Sequence, residues 1–341
     1  MRRFVLLSIG IAVLLTVVGC KGGICIHANA KVTPQTPPVG PVQPMAVERI
    51  DPQTGLKIAL VDVDGLLLNM DMTGPLSQGD NPVAVFRERL MAVGRDPCVR
   101  AVVVRINSPG GGVTASDIMR HDLSEFRSRT RLPIVACLMD VGAGGAYYLA
   151  TAADQIHAHP TTITGGIGVI LNVYNLSDAL AQQNIIAAPV TSGDNIDLGS
   201  PIRGLDEPKR KLLQTMANEF HARFRDTVIT TRKLSPETQT AAFDGRVFTG
   251  RQALELGLVD SLGYLDDAIA VARELGGAPQ ASVVIYHRAT DQAHSLYAIT
   301  PNVPLQTGLL PLSIPGLDRA KLPTFLYLWQ PEPTLEKLGG R

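Results

Sequence analysis

The segment Ala101–Gly112 constrains this chain more than any other. Ala101–Ile106 (AVVVRI) is apolar at nearly every position, the pattern of a strand buried on both faces of a parallel sheet. Ser108-Pro109-Gly110-Gly111-Gly112 breaks that run, and Thr114–Arg127 then has helical spacing. A buried strand that ends in a glycine turn and enters a helix is half of a βαβ unit. The alternation recurs along the chain. Leu56–Val63 (LKIALVDV) reads as a strand, and Pro82–Val93 as a helix with Val85, Phe86, Leu90 and Val93 on one side. Pro133–Met139 is the next buried strand, followed by a Gly/Ala-rich helix start at Gly142–Ala150. Gln155–Ala158 and Ala187–Thr191 read as strands, with a second glycine turn at Thr164–Val169. Glu207–Thr231 is a long, charged amphipathic helix, Thr249–Leu256 and Leu265–Leu275 are helices, and Ala281–Tyr286 is the last strand. The expected class is α/β, with right-handed βαβ units around a mainly parallel sheet.

The two ends read differently from this body. Arg2 and Arg3 precede an apolar run, Phe4–Val18, too short for a membrane span and suited to a signal-peptide core. The run closes in Val17-Val18-Gly19-Cys20, which resembles a bacterial lipobox, where the cysteine is lipidated and becomes the new N-terminus. The reading is a signal peptide over 1–19 and a lipid anchor on Cys20, placing the body in the bacterial cell envelope and facing the periplasm. Lys21 in place of an aspartate favours the outer membrane over the inner. Residues 20–49 form a tether in which Pro34, Pro37, Pro38, Pro41 and Pro44 favour an extended, semi-rigid spacer. The body is expected over 50–286. Beyond it, 287–341 is a proline-punctuated extension expected to pack on the body, because apolar patches such as Phe325–Trp329 are poorly suited to water.

Composition excludes several functions. Lys+Arg and Asp+Glu are both 31, so no basic excess exists to hold nucleic acid. Cys20, Cys25, Cys98 and Cys137 form no CxxC pair, so neither a structural zinc site nor a disulfide scaffold is expected. Gly165–Val169 (GGIGV) is followed by no lysine and is not a P-loop, and Gly110–Gly112 lacks the GxGxxG spacing of a dinucleotide site. No cofactor and no metal are implied.

Five segments in order carry a resemblance: RINSPGG (Arg105–Gly111), DVGAGGAYYLATAAD (Asp140–Asp154), TTITGGIGVI (Thr161–Ile170), TSGDNIDLGSPIR (Thr191–Arg203) and FDGRVFTGRQALELGLVDSLG (Phe243–Gly263). Together they resemble the signal peptide peptidase A family, the S49 peptidases of the ClpP/crotonase superfamily. The resemblance implies a repeated βαβ spiral, homo-oligomers, and peptide cleavage by a Ser–Lys dyad. In such a dyad a desolvated lysine takes the serine proton, and backbone N–H groups near the SPGG turn hold the oxyanion. It also implies that Gly110, Gly111 and Gly112 approach the peptide backbone, where a Cβ would intrude.

The departures decide the functional expectation. The family's nucleophile motif resembles D-x-x-A-S-G-G-Y, and Asp140–Tyr147 puts Gly144 at the serine. The family's S-G-K-Y-K-D-x-G-S-P segment aligns with Ser192–Pro201, putting Ile196 at the lysine and Asp194 at the other lysine. Neither glycine nor isoleucine has proton chemistry. Met139–Ala150 contains no serine, and Lys209 and Lys211 fall on the charged helix. Ser108, Ser192 and Ser200 read as turn-forming residues, and His157 and His159 as surface or loop-end histidines. Asp140 and Tyr147 read as structural. The expectation is an inactive homologue that binds peptides or protein partners in the envelope. One alternative is an active peptidase using unrecognised or in-trans residues. A second is crotonase-like acyl-thioester chemistry, with Asp194 or Asp197 as the carboxylate.

Overall fold

The computed structural model describes residues 42–48, 55–71, 73–74, 77–78, 80–288 and 325–329. The expected signal peptide, Cys20, most of the tether and most of the C-terminal extension lie outside the described residues. Three adjacent parallel strands, Lys57–Asp64, Val99–Ser108 and Ile134–Ala143, form the centre of the sheet. Their side chains alternate between two dry cores. Val61, Val102, Val104, Ile106 and Leu138 enter one; Ile58, Leu60, Ala101, Val103 and Val135 enter the other. Both faces are covered, so these strands read as continuous apolar runs rather than as alternating ones. The first core is closed by Pro82–Arg95, Val113–Thr130, Gly145–Ala150 and the Phe224–Val228 stretch of Glu207–Arg232. The second is closed by Leu265–Leu275 through Leu265, Ala268, Ile269 and Ala272. Each buried Val, Leu or Ile contributes about 1.5–3 kcal/mol relative to exposure.

The sheet order is Val42–Glu48, Ser282–Arg288, Lys57–Asp64, Val99–Ser108, Ile134–Ala143, Gln155–Ala158, Ser261–Leu262. Every neighbouring pair is parallel except the Val42–Glu48 edge. Ile134–Ala143 forks: its first part pairs with Gln155–Ala158, and Val141–Ala143 pairs with Ile163–Gly165. Thr162 bridges the fork by donating its hydroxyl to Leu138 O (2.9 Å). The fork carries the end of this long strand past its first neighbour, toward the SPGG turn, where Ser108 pairs with Gly142.

Two expectations change. Val42–Glu48, assigned to the tether, is an edge strand antiparallel to Ser282–Arg288, so sheet pairing begins before residue 50. An edge position tolerates Pro44 because one side of the strand needs no ladder partner. Ala187–Thr191 is not a strand, and nearby Ile186 and Val190 are exposed. The run pairs with no strand of the sheet. Within the extension, Leu326–Leu328 is a strand, and it pairs with Gly110–Gly112.

Candidate functional site

The site is built from two glycine turns at the ends of adjacent strands. At the first, Ser108 is buried and its Oγ accepts the Gly110 N–H (3.1 Å), which shapes the turn after Val99–Ser108. Gly110–Gly112 then runs extended, with the positive φ of +101° at Gly110. One edge is held by Leu67, which donates to Gly110 O and accepts from Gly112 N, both at 2.9 Å. The approach is close: a Cβ on Gly111 would stand 2.1 Å from Leu67 O. Ser116, buried on the following helix, donates to Gly112 O (2.9 Å).

The second turn is a strand–elbow–helix. Ile134–Ala143 ends, Gly144 adopts φ +55° and ψ −125°, and Gly145–Ala150 starts a helix. This sharp strand-to-helix elbow is the shape that presents a nucleophile in hydrolases of unrelated fold. The backbone is firmly set: Gly144 N–H donates to Gly165 O and Gly144 O accepts from Tyr148 N–H, both at 2.9 Å. Such a φ strains any residue with a Cβ by about 1–3 kcal/mol, and glycine is free of that strain.

Between the turns lies Phe325–Trp329. Val113 N–H donates to Phe325 O (3.2 Å) and Trp329 N–H to Pro109 O (3.0 Å), with Tyr327 opposite Gly111 in the ladder. The other edge of the segment is held by Ile170, which exchanges two hydrogen bonds with Leu326 at 2.9 and 3.0 Å. The segment is thus clamped on both sides. Its Tyr327–Leu328 peptide lies against the elbow. A Cβ on Gly144 would stand 2.4 Å from Tyr327 O, 2.8 Å from its carbonyl carbon and 3.1 Å from Leu328 N. The same oxygen is 2.0 Å from the Cβ position of Gly110 and 3.3 Å from that of Gly145. Three glycines therefore form the recess that holds one carbonyl.

The Tyr327 side chain is fully buried in an aromatic subsite. Its ring packs on Phe224 (centroids 4.7 Å apart) and Tyr148 (5.4 Å), and its hydroxyl donates to Phe220 O (2.7 Å). Phe325 packs edge-on against Phe220 at 5.1 Å. Tyr148 donates in turn to Asp117 Oδ1 (2.8 Å), which also pairs with Arg223 (2.8 Å). Burial opposes the charge on Asp117, but the hydrogen bonds from Arg223 and Tyr148 outweigh it and hold the carboxyl below its ordinary value. Burial pushes the Tyr327 phenol up, so it stays a donor.

The structure brings Gly110, Gly111, Gly112 and Gly144 together. Ile196 is 70% exposed in a turn held by local bonds, such as Ser200 N–H to Asp197 O (2.9 Å). Asp197 pairs with Arg203 (2.6 Å) and Lys209 (3.0 Å), whose hydrogen bonds hold its carboxyl down to about 2. Its charge is committed to that surface network, as is that of Lys209. Ser192 and Asp194 are exposed. Tyr147 is buried and donates to Leu258 O (2.7 Å), a structural role. His157 corrects the surface reading: it is buried beneath the sheet edge, Nδ1 2.6 Å from Ser261 Oγ, and burial lowers its pKa. His159 is half-buried and bonds Thr161 Oγ1 (2.8 Å). A cavity of about 290 Å³ at the carboxyl ends of the central strands is lined by Asp62, Asp64, Arg105, Asn107, Asp140 and His159, with Asp62 and Arg105 paired at 2.7 Å. The residues not anticipated are Leu67, Ser116, Ile170, Tyr327 and the rings around it. The apolar patch at Phe325–Trp329 was the sequence signal for one of them; the others are apolar or small polar residues with no distinguishing pattern until the fold is known.

The model of peptidase family S49 matches residues 127–278. A curated relative from Synechocystis, "Putative protease slr0021", is 34% identical over 211 residues, covering 62% of this chain and 74% of that protein. "Protease 4" of Salmonella typhi is 31% identical over 270 residues, covering 79% of this chain. This chain spans 42% of that protein's length. A solved structure of the 1510-N membrane-bound stomatin-specific protease with a substrate peptide is 14% identical, with a TM-score of 0.41, covering 64% of this chain and 80% of that one.

Proposed function

The chain belongs to peptidase family S49, and from that premise we propose that it is a non-hydrolysing member that holds extended peptides in the cleft the family uses for cutting. One observation carries this reading. The elbow that would aim a nucleophile is intact in its backbone, and the residue on it, Gly144, has no side chain to aim. Acyl transfer by a dyad needs a hydroxyl and a base within hydrogen-bond reach. Ile196 supplies no base, and Ser108, whose Oγ accepts from Gly110, is committed to its turn. What persists is binding machinery: a backbone edge at Gly110–Gly112 and a carbonyl recess, here filled by Phe325–Trp329, the parts that recognise a strand by main-chain pairing.

The cleft would work in the bacterial envelope, tethered through a lipid on Cys20. Subunit contacts are proposed at exposed apolar side chains such as Ile186, Val190, Leu212 and Met216. Among the described residues, no helix is long and apolar enough to cross a membrane. Of the two carboxylates the crotonase-like alternative could use, Asp197 is committed to two cations and Asp194 is exposed on the surface.

The test is hydrolysis. The purified full-length chain is expected to leave a panel of apolar peptides uncut, as judged by mass spectrometry. Cleavage that persists through purification and is abolished by Ser108→Ala, Ser192→Ala or Ser200→Ala would sink the reading in favour of an active peptidase.

A further inference from the structure

We infer that the cleft is a receptor for a tyrosine-bearing strand, that the chain's own Phe325–Trp329 is its resident occupant, and that glycine at position 144 is what seats it. The inference deepens the peptide-binding reading and rests on it. Three independent features converge. The segment is paired on both edges, to Gly110–Gly112 and to Ile170, as a bound strand would be. Its peptide unit at Tyr327–Leu328 fills the volume a Cβ on Gly144 would need, so a serine there and this occupant exclude each other in this geometry. Its one fully buried ring enters a pocket whose floor is a hydrogen-bond acceptor, Phe220 O, at 2.7 Å. An apolar pocket with an acceptor at its end selects a phenol over a plain ring, since phenylalanine forgoes that bond.

Two consequences follow. Loss of the nucleophile and gain of an internal ligand are one structural change, because the hydroxymethyl group of serine occupies the space of the bound carbonyl. An outside peptide must displace the segment, so the ligand class is narrow: an extended apolar peptide with tyrosine at the position of Tyr327. Replacing that tyrosine by phenylalanine in the peptide should weaken displacement about 2- to 10-fold, the value of one modest hydrogen bond.

The chain carries a single tryptophan, Trp329, and it lies in the segment. Its emission and acrylamide quenching therefore report whether the segment is seated. In the full-length protein, Gly144→Ala and Tyr327→Ala are each expected to red-shift the emission and raise the quenching. The heptapeptide TFLYLFQ, which has no tryptophan, should do the same to the natural chain in a saturable way, and TFLALFQ should not. Circular dichroism melts check that each variant is folded. If Gly144→Ala fails to fold at its positive φ, Tyr327→Ala and the peptide titration decide. Unchanged emission in folded Tyr327→Ala, or equal displacement by both peptides, overturns the inference. Peptide hydrolysis by the natural chain would instead overturn the non-hydrolytic reading and leave the fluorescence result standing, so the two failures are distinct.

Discussion

At the scale of single residues, the site is defined by what is missing from Cα. Gly110, Gly111 and Gly144 sit where backbone meets backbone, and each tolerates a Cβ poorly for its own reason. At Gly144 the obstacles are a positive φ and the Tyr327 carbonyl; at Gly111 it is Leu67 O, 2.1 Å from the Cβ position. Gly111 has no positive φ, so its substitution isolates crowding from strain. Gly111→Ala is expected to cost about 1–3 kcal/mol by overpacking. The check is a lowered urea midpoint at unchanged slope. A midpoint within error of the natural chain would mean that Leu67 yields freely and the edge is not tight.

Among elements, the contact that matters joins Val113–Thr130 to Glu207–Arg232. The long helix has an N-cap at Asp206, whose side chain accepts from Lys209 N–H (2.9 Å), yet it buries only Phe224 and Val228. Propensity and capping therefore hold much of its length, while Asp117–Arg223 and the aromatic subsite fix its position. The carboxyl of Asp117 is held below its ordinary 3.8 in the folded protein. The unfolded chain therefore takes up this proton more readily. Stability from the contact is present above 3.8 and is lost as pH falls through the folded value. Asp117→Asn should flatten the acid limb of a plot of melting temperature against pH. A limb as steep as that of the natural chain would remove Asp117 from the account.

For the molecule as a whole, the sheet ends in the edge strand Val42–Glu48, and the stretch from Ile185 to Met216 leaves large apolar side chains in water. Ile186 is 88% exposed, Val190 is fully exposed, and Leu212 and Met216 on the long helix are exposed as well. Self-association through these side chains predicts that the full-length chain sediments as an oligomer and that Leu212→Glu with Met216→Glu shifts it toward monomer. A sedimentation coefficient unaffected by the pair would place any interface elsewhere.

The sequence alone determined the layers and their order. Ala101–Ile106 and Pro133–Met139 are apolar throughout because both faces are covered, and helices such as Leu265–Leu275 are legible because capping and amphipathicity are local properties. It also determined what two positions cannot supply, since no fold can give Gly144 a hydroxyl or Ile196 a base. Pairing was beyond it. Val42–Glu48 is a strand because Ser282–Arg288 offers it an edge, and Ala187–Thr191 is not one, since it pairs with no strand. The occupant of the cleft is the same case at longer range. Leu326 and Gly112 are more than 200 residues apart, and their ladder is specified by the meeting of two backbone edges, a relation that hydrophobic periodicity does not encode. Tertiary structure decided that an apolar patch in the tail became a clamped strand, because only the folded body brings three glycines, a helix N-terminus and an aromatic pocket to one peptide unit.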